Sequence, residues 1–434
     1  MFRQILPVSA LFLSSFFLLA GGGMQSVLLP VRGQLEGFSA SQIGLIGAGW
    51  AIGFTVGCII VPHLVRRVGH VRTFGALAAL LATVVLLNAL IIEAYSWIIL
   101  RAIAGFCFSG SYMIIESWLN ERISDENRGA MFSVYMIISQ VAFMSGQYML
   151  VLADPSRETL FMLGAILYSL AVLPTALSKA QSPAPLNQVE FDLKNMFNNS
   201  PSAFIGSIIA GTLAGSFQSF APVFGADAGM SSANIANMVV LVMLGAVLFQ
   251  YPLGKISDMV DRRYVMVGLS LAGTLVGFLV AKYPVNGAEP QIMFFALMVL
   301  LGGFVYPIYG LVNAHANDHA APEDFVKISS SLLILYGVGN MIGPLVTGPL
   351  MEAFGSNALF QMIGASHLLL AAHMTYRIVR REAPDDDQQM DYQVAPIAII
   401  GHSTETYALD PRSDHETYMA DNEAEDTDQS TPAQ

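Results

Sequence analysis

The chain has 434 residues, 54% of them hydrophobic and only 12% charged, with a mean hydropathy of +0.57. A soluble domain carries about 25% charged residues to build its exterior, so a soluble globule is excluded and a polytopic membrane protein is predicted. The formal charge of −12 is local: residues 382–434 hold fourteen Asp/Glu against one Arg, while residues 1–381 hold eighteen acids against nineteen Lys/Arg.

The acidity therefore belongs to a tail and marks no surface for basic partners, and no nucleic acid partner is expected. Cys58 and Cys107 both fall in apolar runs, which predicts buried thiols and no disulfide framework, zinc site or redox pair.

The start, "MFRQILPVSALFLSSFFLLAGGG", has the outline of a secretory leader. Its apolar run continues through "MQSVLLP" to Pro30, however, and it is read as a retained first helix. Five further apolar windows follow near 41–65, 73–92, 97–119, 130–152 and 159–178. The polar segment from Lys179 to Ser200, with Pro183 and Pro185, reads as a linker. Six more windows lie near 202–224, 234–256, 264–282, 291–314, 328–351 and 358–377. Each is long enough to span a bilayer. The expected organisation is a six-helix half over 1–179, a cytoplasmic linker over 180–200, a second six-helix half over 201–381 and a tail over 382–434. The tail is polar and acidic and is expected to be disordered. Its one apolar patch, "VAPIAIIG" at 394–401, is too short to span and could dock on the cytoplasmic face.

Sixteen of the twenty basic residues fall on one side if the N-terminus is cytoplasmic, leaving Arg32, Arg157 and Lys282 outside and Arg101 within a span. The positive-inside rule then puts both termini in the cytoplasm. The halves also resemble each other. A shift of 197 residues lays Gly105 on Gly302, Tyr112 on Tyr309, Ser133 on Ser330 and Gly146 on Gly343. Parallel six-helix repeats place a solute site at the interface between halves, near the bilayer midplane.

After the eighth window comes "PLGKISDMVDRR", with Gly254, Ser257, Asp258, Arg262 and Arg263. It resembles the cytoplasmic loop motif of major facilitator superfamily transporters, Gly-x-Leu-x-Asp-Arg-x-Gly-Arg-Arg, with Met259 for the first Arg and Asp261 for the last Gly. The resemblance implies that Asp258 caps and pairs with a neighbouring helix start, where the dipole favours an anion, and that the arginines ring the cytoplasmic face. The first-half copy, "PHLVRRVGHVR", keeps Arg67, Gly69 and Arg72 but has Pro62 for Gly and Arg66 for Asp. Arg101 with Gly105 is similar to the Arg-x-x-x-Gly pattern of the fourth helix. Gly343-Pro344 resembles an antiporter element, whereas Gly146-Gln147 stands at the equivalent place in the fifth helix. "ESWLN", "NRG" and Gly146-Gln147 together look like the bacterial YcaD-like branch. The resemblance covers about residues 1–380. It implies a twelve-helix, all-α transporter of a small organic solute that works by alternating access in the bacterial cytoplasmic membrane, most simply as a monomer.

Ionisable residues inside a span cost about 2.5–3.5 kcal/mol at the helix centre and default to functional roles. Arg101 is expected about one turn below the outer surface and Glu116 about one turn above the inner one. They lie about 22 Å apart along the helix and within about 60° of one face, so they cannot pair. Arg101 is read as a coupling residue or an outer anchor. Glu116 is read as a gate partner of Arg66 or Arg67, a protonatable coupling site, or a helix-end acid. Arg66 and Arg67 alternatively serve only as positive-inside anchors.

By the resemblance, helices one, four, seven and ten line the cavity. They carry Gln25, Tyr112, Gln218, Tyr306, Tyr309 and Asn313. Gln140, Gln147, Gln250, Tyr336 and Asn340 add amides and phenols that suit a neutral or weakly polar ligand. The alternative for each is interhelical hydrogen bonding. His315 and His319 have helical spacing but imply no third ligand, and no phosphate loop or catalytic constellation is present, so no metal, cofactor or enzyme activity is expected. Proton-linked efflux is the leading expectation, with proton-linked uptake, or a sensor acting through the tail, as alternatives.

Overall fold

The computed structural model describes residues 8–122, 128–177, 191–285, 291–318 and 325–380. The tail with its 394–401 patch, most of the linker and His319 lie outside the described residues. Among the described residues twelve stretches are long and apolar enough to cross a membrane, and there is no strand. The first half comprises α1 (Ser9–Leu35), α2 (Ala40–Val68), α3 (His70–Leu90), α4 (Ala94–Arg122), α5 (Arg128–Tyr148) and α6 (Thr159–Leu177). A short helix, α7 (Leu193–Asn199), precedes the second half: α8 (Pro201–Asp227), α9 (Ser232–Met259), α10 (Arg262–Lys282), α11 (Ile292–Val305), α12 (Pro307–Asn317), α13 (Phe325–Phe354) and α14 (Ala358–Arg380). α11 and α12 form one span, broken at Tyr306 because Pro307 has no N–H to continue the ladder.

Local chemistry sets the helix ends. Ser39 and Gln42 form a reciprocal capping box at the start of α2. Ser231 caps α9 through the Asn234 N–H. Ahead of α4, the Glu93 carboxylate accepts from the N–H groups of Tyr95 and Ser96 at 2.9 and 2.6 Å. These bonds hold its carboxyl below the usual range.

The internal repeat is visible in the backbone. After α1, the N–H groups of Glu36, Gly37 and Phe38 donate to the carbonyls of Arg32, Gln34 and Gly33. After α8, Ala228, Gly229 and Met230 donate to Phe224, Ala226 and Gly225. Each atom of the second turn lies 192 residues beyond its counterpart in the first, as 229 − 37 shows. Gly37 and Gly229 both sit at positive φ, +78° and +73°, as a left-handed helix terminus requires.

Helix packing repeats as well. A Cβ on Gly105 would meet the Trp50 carbonyl, and one on Gly302 the Val242 carbonyl. Reciprocally, Gly53 faces the Ala102 carbonyl and Gly245 the Val299 carbonyl. In the same way Gly146 faces Ala20 as Gly343 faces Thr212. Tight α2–α4 and α1–α5 pairs thus recur as α9–α11 and α8–α13, with the glycines letting one backbone touch the next. Ser9, which starts the first span, and Arg380, which ends the last, share one face of the bundle, called here the terminal face; the opposite one is the distal face. Large apolar side chains such as Leu86, Ile166, Leu275 and Leu369 stand exposed on α3, α6, α10 and α14, and Ile52, Ile137 and Leu248 do so on α2, α5 and α9, so all of these present a face to lipid.

The halves meet most closely through α2 and α13. Near the distal face the Ser41 N–H donates to Glu352 Oε1 at 2.8 Å and Gln34 Nε2 to Asp227 Oδ1 at 3.2 Å. A Cβ on Gly348 would come within 2.8 Å of the Ala40 carbonyl, and Gly44 abuts the Pro344 carbonyl. The bundle is closed on this face.

Candidate functional site

Beneath the closed distal face lies a polar cluster built from both halves. Arg101 on α4 donates from Nη1 to Gln25 Oε1 on α1 at 3.4 Å, and Tyr168 on α6 donates its hydroxyl to the same oxygen at 3.3 Å. The Arg101 guanidinium carbon lies 5.6 Å from the ring centroid of Trp50 on α2, within cation–π range. The Arg-x-x-x-Gly spacing has a mechanical reason. Gly105, one turn beyond Arg101, admits the Trp50 carbonyl and so lays the indole alongside the guanidinium.

By helix rise, Arg101 is about 10 Å, and Gln25 and Trp50 about 15 Å, from the distal ends of their helices. Arg101 thus lies about two turns into α4 rather than the one turn expected from sequence, because the helix starts at Ala94, three residues before the apolar window at 97–119. Three small cavities with polar groups in their walls adjoin the cluster. The first is lined by Ser26, Trp50 and Arg101 from one half and Gln218, Ser219 and Asn340 from the other. The second adds Gln25 and Tyr168 to Arg101 and Gln218, and the third joins Gln147 and Gln218 to Tyr306. Each admits at most a few water molecules in this conformation.

Of the residues singled out in the sequence, Arg101, Gln25, Gln147, Gln218, Tyr306 and Asn340 converge here. The others lie elsewhere. Glu116 is fully buried inside the first half, accepting from the Tyr135 hydroxyl at 3.3 Å. Tyr112 is stacked on Phe108 and lies beside Tyr135. At the position 197 residues on (313 − 116) the second half has Asn313, whose Oδ1 accepts from Asn317 Nδ2 at 2.8 Å and Ser329 Oγ at 3.0 Å. Tyr309 and Tyr336 pack ring against ring at 4.8 Å. Gln250 is buried on α9 and Gln140 half-buried on α5.

A third cluster lies at the terminal face of the second half. Arg262 donates to Asp318 at 2.7 Å, to Asp258 at 2.8 Å and to Ser257 Oγ at 2.7 Å. Arg263 pairs with Asp261 at 2.7 Å and reaches the Arg377 carbonyl at 3.4 Å. The arrangement differs from the motif expectation in the capping residue and in the exposure of the arginines. Asp258, near the end of α9, pairs with Arg262, the first residue of α10, while the residue capping α10 is Asp261, which accepts from the Arg263 N–H. The two arginines are buried rather than ringing an exposed face, since their carboxylates draw them inward. In the first half Arg66 and Arg67 remain exposed at the end of α2.

Sequence reasoning missed Trp50, Tyr168, Ser26 and Ser219, whose placement depends on packing between helices. Asp318 was legible in principle: the 197-residue register lays it on Glu121. Among the described residues no group of three His, Cys, Asp or Glu could hold a metal.

The sequence model of the Major Facilitator Superfamily matches residues 11–236 and 203–402. The MFS-type transporter YcaD of Escherichia coli is 25% identical over 363 residues, covering 83% of this chain and 92% of the relative. Among solved structures, the nucleoside transporter NupG superposes with a TM-score of 0.71 at 14% identity, over 85% of this chain and 98% of that one. A bacterial homologue of the human lysosomal transporter Spinster, in an inward-facing and occupied conformation, gives 0.70 at 15% identity, over 88% and 97%. With twelve apolar spans in two repeated halves and a family match along nearly all of the described residues, this chain belongs to the major facilitator superfamily of membrane transporters.

Proposed function

We propose that this protein carries a small organic solute across the bacterial cytoplasmic membrane by alternating access, with the terminal face in the cytoplasm. The observation that carries the reading is the polar pocket between the halves, sealed on one side by Ser41–Glu352 and Gln34–Asp227. A site built from both halves is exposed when they rock apart and occluded when they close, which is what carriage requires. The orientation rests on the basic residues: Arg66, Arg67, Arg122, Arg262, Arg263, Arg377 and Arg380 all lie at the terminal ends of their helices. The present conformation is then the one closed to the outside. Proton linkage is assigned to Glu116, a carboxyl group enclosed in the first half where the second half has the non-titrating Asn313. Proton-linked efflux is the favoured direction.

Disulfide cross-linking tests the reading. With Cys58 and Cys107 replaced, a Ser41→Cys/Glu352→Cys pair is expected to lock the distal face. Solute movement in whole cells should stop on oxidation and return on reduction. Movement that continues through the cross-linked protein excludes alternating access at this interface.

A further inference from the structure

Among the described residues three arginines are buried and Arg101 is half-buried, and the two kinds are handled differently. Arg32 pairs with Glu36, Arg262 with Asp258 and Asp318, and Arg263 with Asp261. Arg101 has no such partner: its contacts are an amide oxygen and an indole face, both neutral. Among the described residues no carboxylate lies within 4.0 Å of it. A cation held in a bundle interior without a counter-charge is costly. Nothing in the repeat demands it, since the position 197 residues on is Met298.

The neighbouring polar groups are short of acceptors as well. Two donors converge on Gln25 Oε1, which fixes the amide orientation and leaves the buried Nε2 with no acceptor. Asn340, facing Arg101 from the other half, makes no side-chain hydrogen bond among the described residues. The missing component is therefore an acceptor, and it should carry charge. One guanidinium with neutral amides balances a single negative charge. A phosphate monoester, with about −1.5 to −2 at neutral pH, would leave excess charge in a poorly solvated pocket. The remaining wall, Leu29, Pro30, Ile43, Ile46 and Trp50, is apolar.

We propose that the pocket at Arg101 and Gln25 binds a small amphiphilic monocarboxylate. The Arg101 guanidinium and Gln25 Nε2 hold the carboxylate, and Trp50 with Ile46 receives the apolar body. This rests on the pocket being the solute path. It departs from the neutral ligand expected from the scattered amides, because the decisive group is a cation that the protein does not neutralise. The cavities are too small for such a solute in the closed conformation, so binding accompanies parting of the halves.

The test is thermal stabilisation of the purified full-length protein by acetate, butyrate and phenylacetate, set against phenylacetamide and phenyl phosphate. At least one carboxylate is expected to stabilise the wild type, with the amide and the phosphate at least about tenfold weaker. Arg101→Gln should abolish the preference for acid over amide. Arg101→Lys should keep part of it, retaining charge but losing the planar fork. Three results overturn the proposal: no stabilisation by any carboxylate, equal stabilisation by amide or phosphate, or unchanged acid binding in Arg101→Gln. If that variant does not fold, the comparison of acid with amide on the wild type decides alone. Should carboxylates fail while the Ser41→Cys/Glu352→Cys cross-link still arrests transport, only the monocarboxylate assignment falls.

Discussion

Arg262 at the start of α10 and Asp318 at the end of α12 form a buried ion pair of 2.7 Å that ties two spans of the second half together. Asp258 and Ser257 hold the other side of the same guanidinium. Removing one partner of a buried pair strands the other, at about 3–5 kcal/mol. Asp318→Asn is expected to cost about 3 kcal/mol, near the low end, because Asp258 still provides a counter-charge. Thermal unfolding of the purified variant measures this. The Asp318→Asn/Arg262→Gln double variant should be less destabilised than the two single costs summed.

Gly105 admits the Trp50 carbonyl and Gly302 the Val242 carbonyl. A side chain at either place must push two packed backbones apart. Gly105→Leu and Gly302→Leu are each expected to destabilise by about 1–3 kcal/mol or more. Gly268, with open space where a Cβ would stand, is the control: Gly268→Ala should be neutral or slightly stabilising in the same unfolding measurement.

Glu116 is fully buried and accepts from Tyr135. If its carboxyl carries the coupled proton, Glu116→Gln keeps shape and most hydrogen bonding while removing titration. The variant should fold, exchange labelled solute across the membrane, and lose concentrative transport driven by a pH gradient. Tyr135→Phe should shift the pH dependence of transport without abolishing it. Proteoliposome uptake with an imposed gradient reads both, and gradient-driven transport by Glu116→Gln would remove this residue from the coupling step.

At the distal face Glu352 accepts from the Ser41 N–H across the interface between halves. Glu352→Ala removes an acceptor that joins the halves in the closed conformation and leaves the lipid-facing helices untouched. Because Glu352 is exposed, solvent screening limits such a bond to about 0.2–1 kcal/mol, so the open population should rise by up to roughly fivefold. A near-isosteric Ser219→Cys reporter, lining the cavity beneath the closure, should then be alkylated from outside faster than in the parent. Equal alkylation rates would mean that this bond does not restrain opening.

Much of the architecture was legible because bilayer insertion is a one-dimensional constraint. Length and apolarity of each segment decide whether it spans, so twelve windows in the sequence became twelve spans. The 197-residue repeat was legible because its glycines are obligatory where backbones touch. The register of α1 and α2 with α8 and α9 is written in identities as well, among them Gly23/Gly215, Pro30/Pro222, Gly33/Gly225, Gly37/Gly229 and Gly53/Gly245. Its shift is 192 rather than 197 because the stretch between α2 and α4 is five residues longer in the second half. The break at Tyr306 follows locally from Pro307, whereas capping by Asp261 rather than Asp258 depends on α9 running on to Met259.

The candidate site divides along the same line. Sequence by itself determined that a basic residue and an acidic one lie inside the fourth span, that amides are scattered through the apolar helices, and that two six-helix halves face each other. These follow from residue identity and spacing along a helix. Only the tertiary structure decided that Arg101 turns inward to Gln25 and Trp50, that Glu116 is enclosed with Tyr135, and that Asp318 serves Arg262. Each depends on which helices touch and at what depth, and that is set by small-residue contacts between spans. In an apolar bundle the choice between a satisfied charge and an unsatisfied one is made by helix neighbours, which a linear pattern does not encode.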